Sequence, residues 1–344
     1  MITKNFEMDL VDALQPIRSY VLATAIYHLF ETGIYDLINQ KSHSINALIS
    51  TLQLERERTI GFLNYCSNEN IVLLDDTELS LTEYGKSLLK FRGWYEMMIG
   101  GYGNTFLQMG TCLRAGTNGA TRDAKHVGIG SCAISQYDAL PLTKKLLSLS
   151  SKNYQLALDI GCGNAQYLVE FCHYFPQIKA VGVEPDKEGF FAAQKLVEAH
   201  DLSDRVYLAN KTALEFFSGN DKEPDIVIIS FVLHEILGQS GEKIVKEFLR
   251  SIVERYPEID IVVIEVDNQI TNPTIMQHGL SGAYYNPYYL LHYFTDQKLE
   301  TDAYWTDLFA DCNLDIIGKD YPDYKVDSTK LEIGYLLRAK KCQK

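Results

Sequence analysis

Residues 154–165 read Tyr-Gln-Leu-Ala-Leu-Asp-Ile-Gly-Cys-Gly-Asn-Ala, an apolar run that breaks after Asp159 into a turn carrying Gly161 and Gly163. Glycines at such a turn let the backbone approach a ligand closely. A second apolar run, Ala180-Val181-Gly182-Val183, ends on Glu184, nineteen residues past Ala165. A carboxylate there can take two ribose hydroxyls, and strand, glycine turn, helix and acid-ended strand make half of a nucleotide-binding fold. The chemistry implied is that of a nucleoside cofactor. A dinucleotide turn would carry a third glycine, but Gln166 stands in its place. Asp159 would repel a pyrophosphate and suits a cationic amino-acid group.

A second constellation lies further along. Phe231-Val232-Leu233-His234-Glu235-Ile236 follows the fourth apolar strand, and Tyr288-Tyr289-Leu290-Leu291-His292 comes later, then Gln297. Two histidines and one carboxylate can form a facial triad with open positions for a bidentate substrate. A metal there would polarise a 2-oxo acid and acidify its adjacent C–H. The same residues admit other readings. His234 can serve as a metal-free general base on a hydroxyl substrate, and Glu235 can simply orient it. His292 can be a packing histidine, and His278 competes as a third ligand. His28, His43, His126, His173 and His200 have no acidic partner nearby in sequence and read as structural. Arg114 and Arg122 can pair bidentately with a substrate carboxylate, although Arg122 reads rather as a surface residue.

These residues need elements to hold them. From about residue 152 strands and helices alternate: strands at 154–160, 179–184, 205–209, 225–230 and 259–266, helices near 164–174, 187–200 and 240–255, and closing segments at 313–318 and 332–339. This pattern predicts a doubly wound α/β domain over 151–344, with ligands beyond the carboxyl ends of its strands. Ser230 and Thr212, close to two of those ends, join the cofactor set. Upstream, a helical pattern over 8–32 stops at Gly33, helices follow from Ser44 and from about Glu57 to Glu69, and strands at 71–74 and 79–82 flank a turn. Helix, helix and hairpin predict a winged-helix-like domain over 1–90. Its apolar first helix suits a homodimer, or packing on its own catalytic domain. Residues 91–150, rich in glycine and aromatics, read as a helical connector contributing to a substrate pocket or as packed aromatics.

Composition narrows the classes. A net charge of −13 argues against nucleic acid as a partner, since that would need a basic face. No apolar run approaches the length of a membrane span, and the N-terminus lacks the apolar core of a signal peptide. The seven cysteines are scattered without a C-x-x-C pair, as in reduced cytoplasmic proteins.

Asp159-Ile160-Gly161-Cys162-Gly163-Asn164 resembles motif I of the class I S-adenosylmethionine methyltransferases. Asp12-Ala13-Leu14-Gln15-Pro16-Ile17-Arg18, Arg92-Gly93-Trp94-Tyr95, Val232 to Gly238 and Asn286 to His292 resemble the 2-oxo acid C-methyltransferases, so the resemblance covers most of the chain. It implies a Rossmann-like methyltransferase domain that holds S-adenosylmethionine on Asp159, Gly161, Gly163, Glu184, Thr212 and Ser230. It implies catalysis by His234 and Glu235, with an Fe or Zn ion on His234, Glu235 and His292, although the family often has Asp beside the first histidine. The implied reaction is methylation at C3 of a 2-oxo acid such as 2-ketoarginine, on the way to 3-methylarginine. Arg114, Tyr95 and Tyr137 are the expected substrate contacts, with Asp138 and Glu96 as receptors for a guanidinium. The runner-up is a metal-independent small-molecule O-methyltransferase using His234 as base. A winged-helix regulator that only senses S-adenosylmethionine is the third reading.

Overall fold

The computed structural model describes residues 5–75, 78–219 and 223–340. Two units divide the chain, Met1–Gly101 and Tyr102–Lys344.

In the first unit the long helix Phe6–Glu31 ends where Gly33, at φ +78°, starts the helix Ile34–Gln40. Ser44 caps the helix Ile45–Leu52 by accepting from the Ala47 N–H, and Glu55 caps Arg56–Asn68 through the Glu57 and Arg58 N–H groups. Such side-chain oxygens satisfy donors that a helix start leaves unpaired. Strands β1 (His43–Ser44), β2 (Val72–Leu74) and β3 (Glu78–Leu81) form a small antiparallel sheet in the order β1-β3-β2. Leu29, Phe30, Tyr35, Leu48, Leu63 and Leu79 make its core. The first half of the long helix leaves Phe6, Leu10, Val11, Leu14, Ile17 and Val21 exposed.

The second unit holds β4 (Leu156–Ile160), β5 (Lys179–Val183), β6 (Val206–Ala209), β7 (Ile226–Ser230), β8 (Asp260–Val266), β9 (Leu314–Asp320) and β10 (Glu332–Ala339). They form one sheet in the order β6-β5-β4-β7-β8-β10-β9. The first five are parallel, while β10 runs antiparallel to both of its neighbours. The apolar runs of β7 and β8 are continuous because both faces of the sheet are covered. Val227, Ile229, Ile261 and Val263 enter one core, and Ile226, Ile228, Val262 and Ile264 the other. The strand order reverses between β4 and β7, which places the ligand crevice at their carboxyl ends. The helices Ala213–Gly219, Leu233–Ser240 and Asp302–Asp311 were not drawn from the sequence; each is short, at most ten residues, and periodicity is weak over so few turns.

Asp260, fully buried at the start of β8, anchors the amino ends of the strands. It accepts from Lys152 Nζ at 2.8 Å, Tyr154 Oη at 2.7 Å, and Arg338 Nε and Nη2 at 2.7 and 2.8 Å. Burial alone would raise its carboxyl, but Arg338 and Lys152 hold it below the usual range. Removing one partner of a buried ion pair costs about 3 kcal/mol or more. Asp260→Ala is therefore expected to lower stability by about 3 kcal/mol, read as a shift of the denaturant midpoint at unchanged slope.

Candidate active site

The turn after β4 brings the cofactor residues to one cavity of about 500 Å³, lined by Gly161, Gly163, Glu184, Thr212, Ser230, Phe231, Val232, Glu235 and Arg122 among others. Gly161 and Gly163 have φ of +75° and +54°, the region that other residues reach only at a cost. A Cβ at Gly161 would lie 2.9 Å from Val232 Cγ2, so the turn also needs glycine to sit against the β7 loop. Glu184 reaches back over the turn. Its two oxygens accept from the Gly163 N–H at 2.9 Å and the Asp186 N–H at 2.8 Å. Burial outweighs these donors and lifts its carboxyl above the usual range. The cradle and the carboxylate fit a nucleoside with free ribose hydroxyls. Asp159 lies in β4, the strand expected at 154–160, where it is 4% exposed and is not among the residues lining the cavity. Burial and the nearby Glu184 push its carboxyl up to about 7.

Phe231 leaves β7 with φ +57°, a strained conformation of the kind found at functional turns, and the helix Leu233–Ser240 starts directly after it. His234 thereby drops into the interior at 2% exposure, and neither it nor His292 is among the residues lining the cavity. Glu265 of β8 clamps it twice, accepting from the His234 backbone N–H at 3.2 Å and bonding Nδ1 at 2.8 Å. Burial opposes a charge on this imidazole, yet Glu265 raises its pKa. Gln297 fixes the tautomer. Its Oε1 accepts from Tyr102 Oη at 3.0 Å and Thr295 Oγ1 at 2.9 Å, so its amide N–H groups face Glu235 at 3.1 Å and His234 Nε2 at 3.4 Å. With Nδ1–H held by a carboxylate, Nε2 carries the lone pair.

Glu235 turns the other way, into the cavity, where Arg122 Nη1 donates to it at 2.9 Å. Burial would raise the Glu235 carboxyl, but Arg122 and Gln297 hold it below its usual range. His292 lies beside His234, ring centroids 5.2 Å apart, with Nδ1 on the Tyr288 carbonyl at 2.7 Å. Its Nε2 is buried without a partner, and burial with the neighbouring His234 pushes its pKa well down. Each histidine is thus anchored through Nδ1 as a ligand would be. The expected triad is nonetheless not gathered as arranged. Glu235 is committed to Arg122, and among the described residues no three His, Cys, Asp or Glu side chains form a group that could hold a metal ion.

The other expected contacts scatter. Arg114 is exposed beyond the helix Gly103–Cys112 and does not line the cavity, while Arg122, read as a surface residue, does. Tyr137 is half-buried away from the cavity lining. Tyr95 belongs to the first unit, its ring 6.3 Å from Phe30, and Glu96 is buried in that unit too. His278 bonds Ser328 Oγ at 3.1 Å and is exposed, so it is no ligand beside His234. Glu265 and Gln297 were missed as partners. Glu265 had a signal, a single carboxylate in the otherwise apolar run Ile261 to Val266.

The family described as a methyltransferase domain matches residues 158–266. The 2-ketoarginine methyltransferase of Streptomyces arginensis is 39% identical over 336 residues, 97% of each chain. Among solved structures, human N-acetylserotonin methyltransferase in complex with SAM matches with a TM-score of 0.67 at 13% identity, over 98% of this chain and 99% of that one. N,N-8-amino-8-demethyl-D-riboflavin dimethyltransferase of Streptomyces davawensis matches with a TM-score of 0.64 at 15% identity, over 96% of this chain and 99% of that one. These two share the fold, a class I methyltransferase domain behind an N-terminal helical domain. Kinship over nearly the full length and the matched domain agree: the chain is a class I S-adenosylmethionine-dependent methyltransferase and belongs to the family of 2-ketoarginine methyltransferase.

Proposed function

We propose that the enzyme methylates C3 of a 2-oxo acid, 2-ketoarginine, to give the oxo acid of 3-methylarginine. The observation that carries this reading is the imidazole of His234, held at Nδ1 by Glu265 with Nε2 facing the Gln297 amide. The kinship with 2-ketoarginine methyltransferase supports this choice of substrate. A carbon beside a ketone becomes nucleophilic only after losing a proton, and a positioned base contributes ~10²–10⁴-fold to such a step.

S-adenosylmethionine, held by the turn of Gly161 and Gly163 with its ribose on Glu184, supplies an electrophilic methyl group when bound. His234 Nε2 takes the C3 proton, and Glu265 stabilises the imidazolium that results. Arg122, already in the cavity, takes the oxo-acid carboxylate in place of Glu235 and offsets the negative charge of the enolate. This passes the carboxylate role from Arg114 to Arg122. The arrangement of Glu235 gives no step routed through a metal, so the assay includes a chelator arm. The exposed apolar side chains of the helix Phe6–Glu31 support a homodimer built on the winged-helix-like first unit, and the scattered cysteines support a cytoplasmic enzyme.

Mass spectrometry of reactions with S-adenosylmethionine and a panel of 2-oxo acids and phenols is expected to show one methylated product, from 2-ketoarginine. Turnover of phenols alone would leave a metal-independent O-methyltransferase. Loss with chelator and recovery with Fe or Zn would replace the metal-free proton transfer by an ion on His234, Glu235 and His292. His234→Ala is expected to lower kcat by roughly 10²–10⁴-fold while cofactor binding by calorimetry stays within a few-fold. Glu184→Ala should do the reverse, weakening cofactor binding roughly 10–100-fold, the worth of one or two charge-assisted bonds. Light scattering should give twice the chain mass, and Leu14→Glu with Ile17→Glu should halve it.

A further inference from the structure

The helix Leu233–Ser240, which carries His234 and Glu235, also carries Gly238. A glycine inside a helix weakens it, so its presence there calls for a reason. Backbone conformation is not the reason, since Gly238 has no positive φ. Space is. A Cβ at Gly238 would lie 2.6 Å from the Asp296 carbonyl oxygen, 2.6 Å from Gln297 Cα and 2.8 Å from the Asp296 carbonyl carbon. Carbon atoms in contact sit at ~3.5–4.0 Å. All three neighbours are backbone atoms, which cannot turn aside as the end of a side chain can.

Residues three and four apart share one face of a helix, so Gly238 lies one turn beyond both Glu235 and His234. The segment 294–298 crosses the helix at that point. The Lys298 N–H donates to the His234 carbonyl at 2.9 Å. On its other side the same segment is tied to the stretch that leads to Arg122. The Ala120 N–H donates to the Phe294 carbonyl at 2.6 Å, and a Cβ at Gly119 would lie 3.2 Å from Asp296 Oδ1. Between these ties stands Gln297, at 6% exposure. Tyr102 and Thr295 donate to its Oε1, so its amide nitrogen reaches Glu235 Oε1 at 3.1 Å and His234 Nε2 at 3.4 Å. Arg122 Nη1 donates to that same Glu235 oxygen. One amide therefore links the buried imidazole to the carboxylate that lines the cavity, and Gly238 is what lets its backbone come close enough.

We infer that Gln297 is a positioning residue for methyl transfer, acting through His234 and Glu235, and that Gly238 is the opening in the helix that admits it. The inference rests on the reading of His234 as the base and adds what sets that base against the cavity. A methyl group at position 238 pushes residues 296–297 off the helix. The Gln297 amide then leaves hydrogen-bond reach of both side chains, and a misplacement of about 1 Å near reacting groups costs about 100-fold in rate. Gly238→Ala and Gln297→Ala therefore remove the same contact from opposite sides.

The test is a double-mutant cycle in turnover of the acceptor that the wild type methylates, with calorimetric binding of S-adenosylhomocysteine as the measure of an intact cofactor site. Gly238→Ala and Gln297→Ala are each expected to lower kcat roughly 10- to 100-fold, while KM moves less and the cofactor Kd stays within a few-fold. The double variant should be no slower than the slower single one, because both changes remove one shared contact. Gly110→Ala, in the helix Gly103–Cys112 where a Cβ would meet nothing, should leave kcat unchanged. A Gly238→Ala enzyme with wild-type kcat overturns the inference, and so do losses that multiply in the double variant. If Gly238→Ala binds no cofactor, Thr295→Val decides, since it removes a donor to Gln297 Oε1. A loss in kcat that disappears in the Gln297→Ala background upholds the inference, and wild-type kcat or a loss that persists there sinks it. If His234→Ala keeps the wild-type rate, the base reading fails and the inference falls with it. A loss in His234→Ala, with Gln297→Ala at full rate, overturns the inference and spares the base reading.

Discussion

A carboxylate taken out of water needs a cation, a set of donors or a proton, and much of the second unit follows from where it buries such groups. Glu265 is the case on which the proposed chemistry depends. It sits 1% exposed in β8, a strand whose neighbours on both faces are apolar. Its charge is met by the N-terminus of the helix Leu233–Ser240 and by the imidazole of His234. That requirement fixes the helix against the strand, points Nδ1 at the carboxylate and leaves Nε2 facing the Gln297 amide. The sheet supplies the rigidity: β7 and β8 are parallel neighbours in register from Ile226 with Asp260 to Ser230 with Ile264, so His234 and Glu265 cannot drift apart independently.

The next layer outward is a chain of mutual commitments. Gln297 is oriented by two hydroxyls, and through its amide it touches both His234 and Glu235. Glu235 in turn holds Arg122 inside the cavity. Without a substrate, this pair keeps a guanidinium and a carboxylate compensated while partly desolvated. In the proposed reaction an entering oxo-acid carboxylate would compete for Arg122, with Gln297 left to satisfy Glu235. Pairing of this kind pre-orders a cation at low cost, because the side-chain freedom is already lost before binding.

The parts of the fold that were legible in the sequence are those with long, strong patterns. The runs at 154–160, 179–184, 225–230 and 259–266 are mostly apolar because both sheet faces are covered, and they fall within a residue or two of β4, β5, β7 and β8. Glu184 was legible because spacing from a glycine turn is a local property. Glu265, Gln297 and Arg122 were not, since each meets its partner across 31 to 113 residues of chain, and pairings at that range are set by topology.

The buried acids differ by what the fold sets against them. Asp260 is met by two cations and two hydroxyls within the chain, so its pairing contributes to the folded state, and its carboxyl is held low. Asp159 and Glu332 lie nearly as deep with no cation bonded to them among the described residues, and burial lifts both carboxyls instead. The direction of each shift thus follows from the partner the topology supplies and not from depth alone.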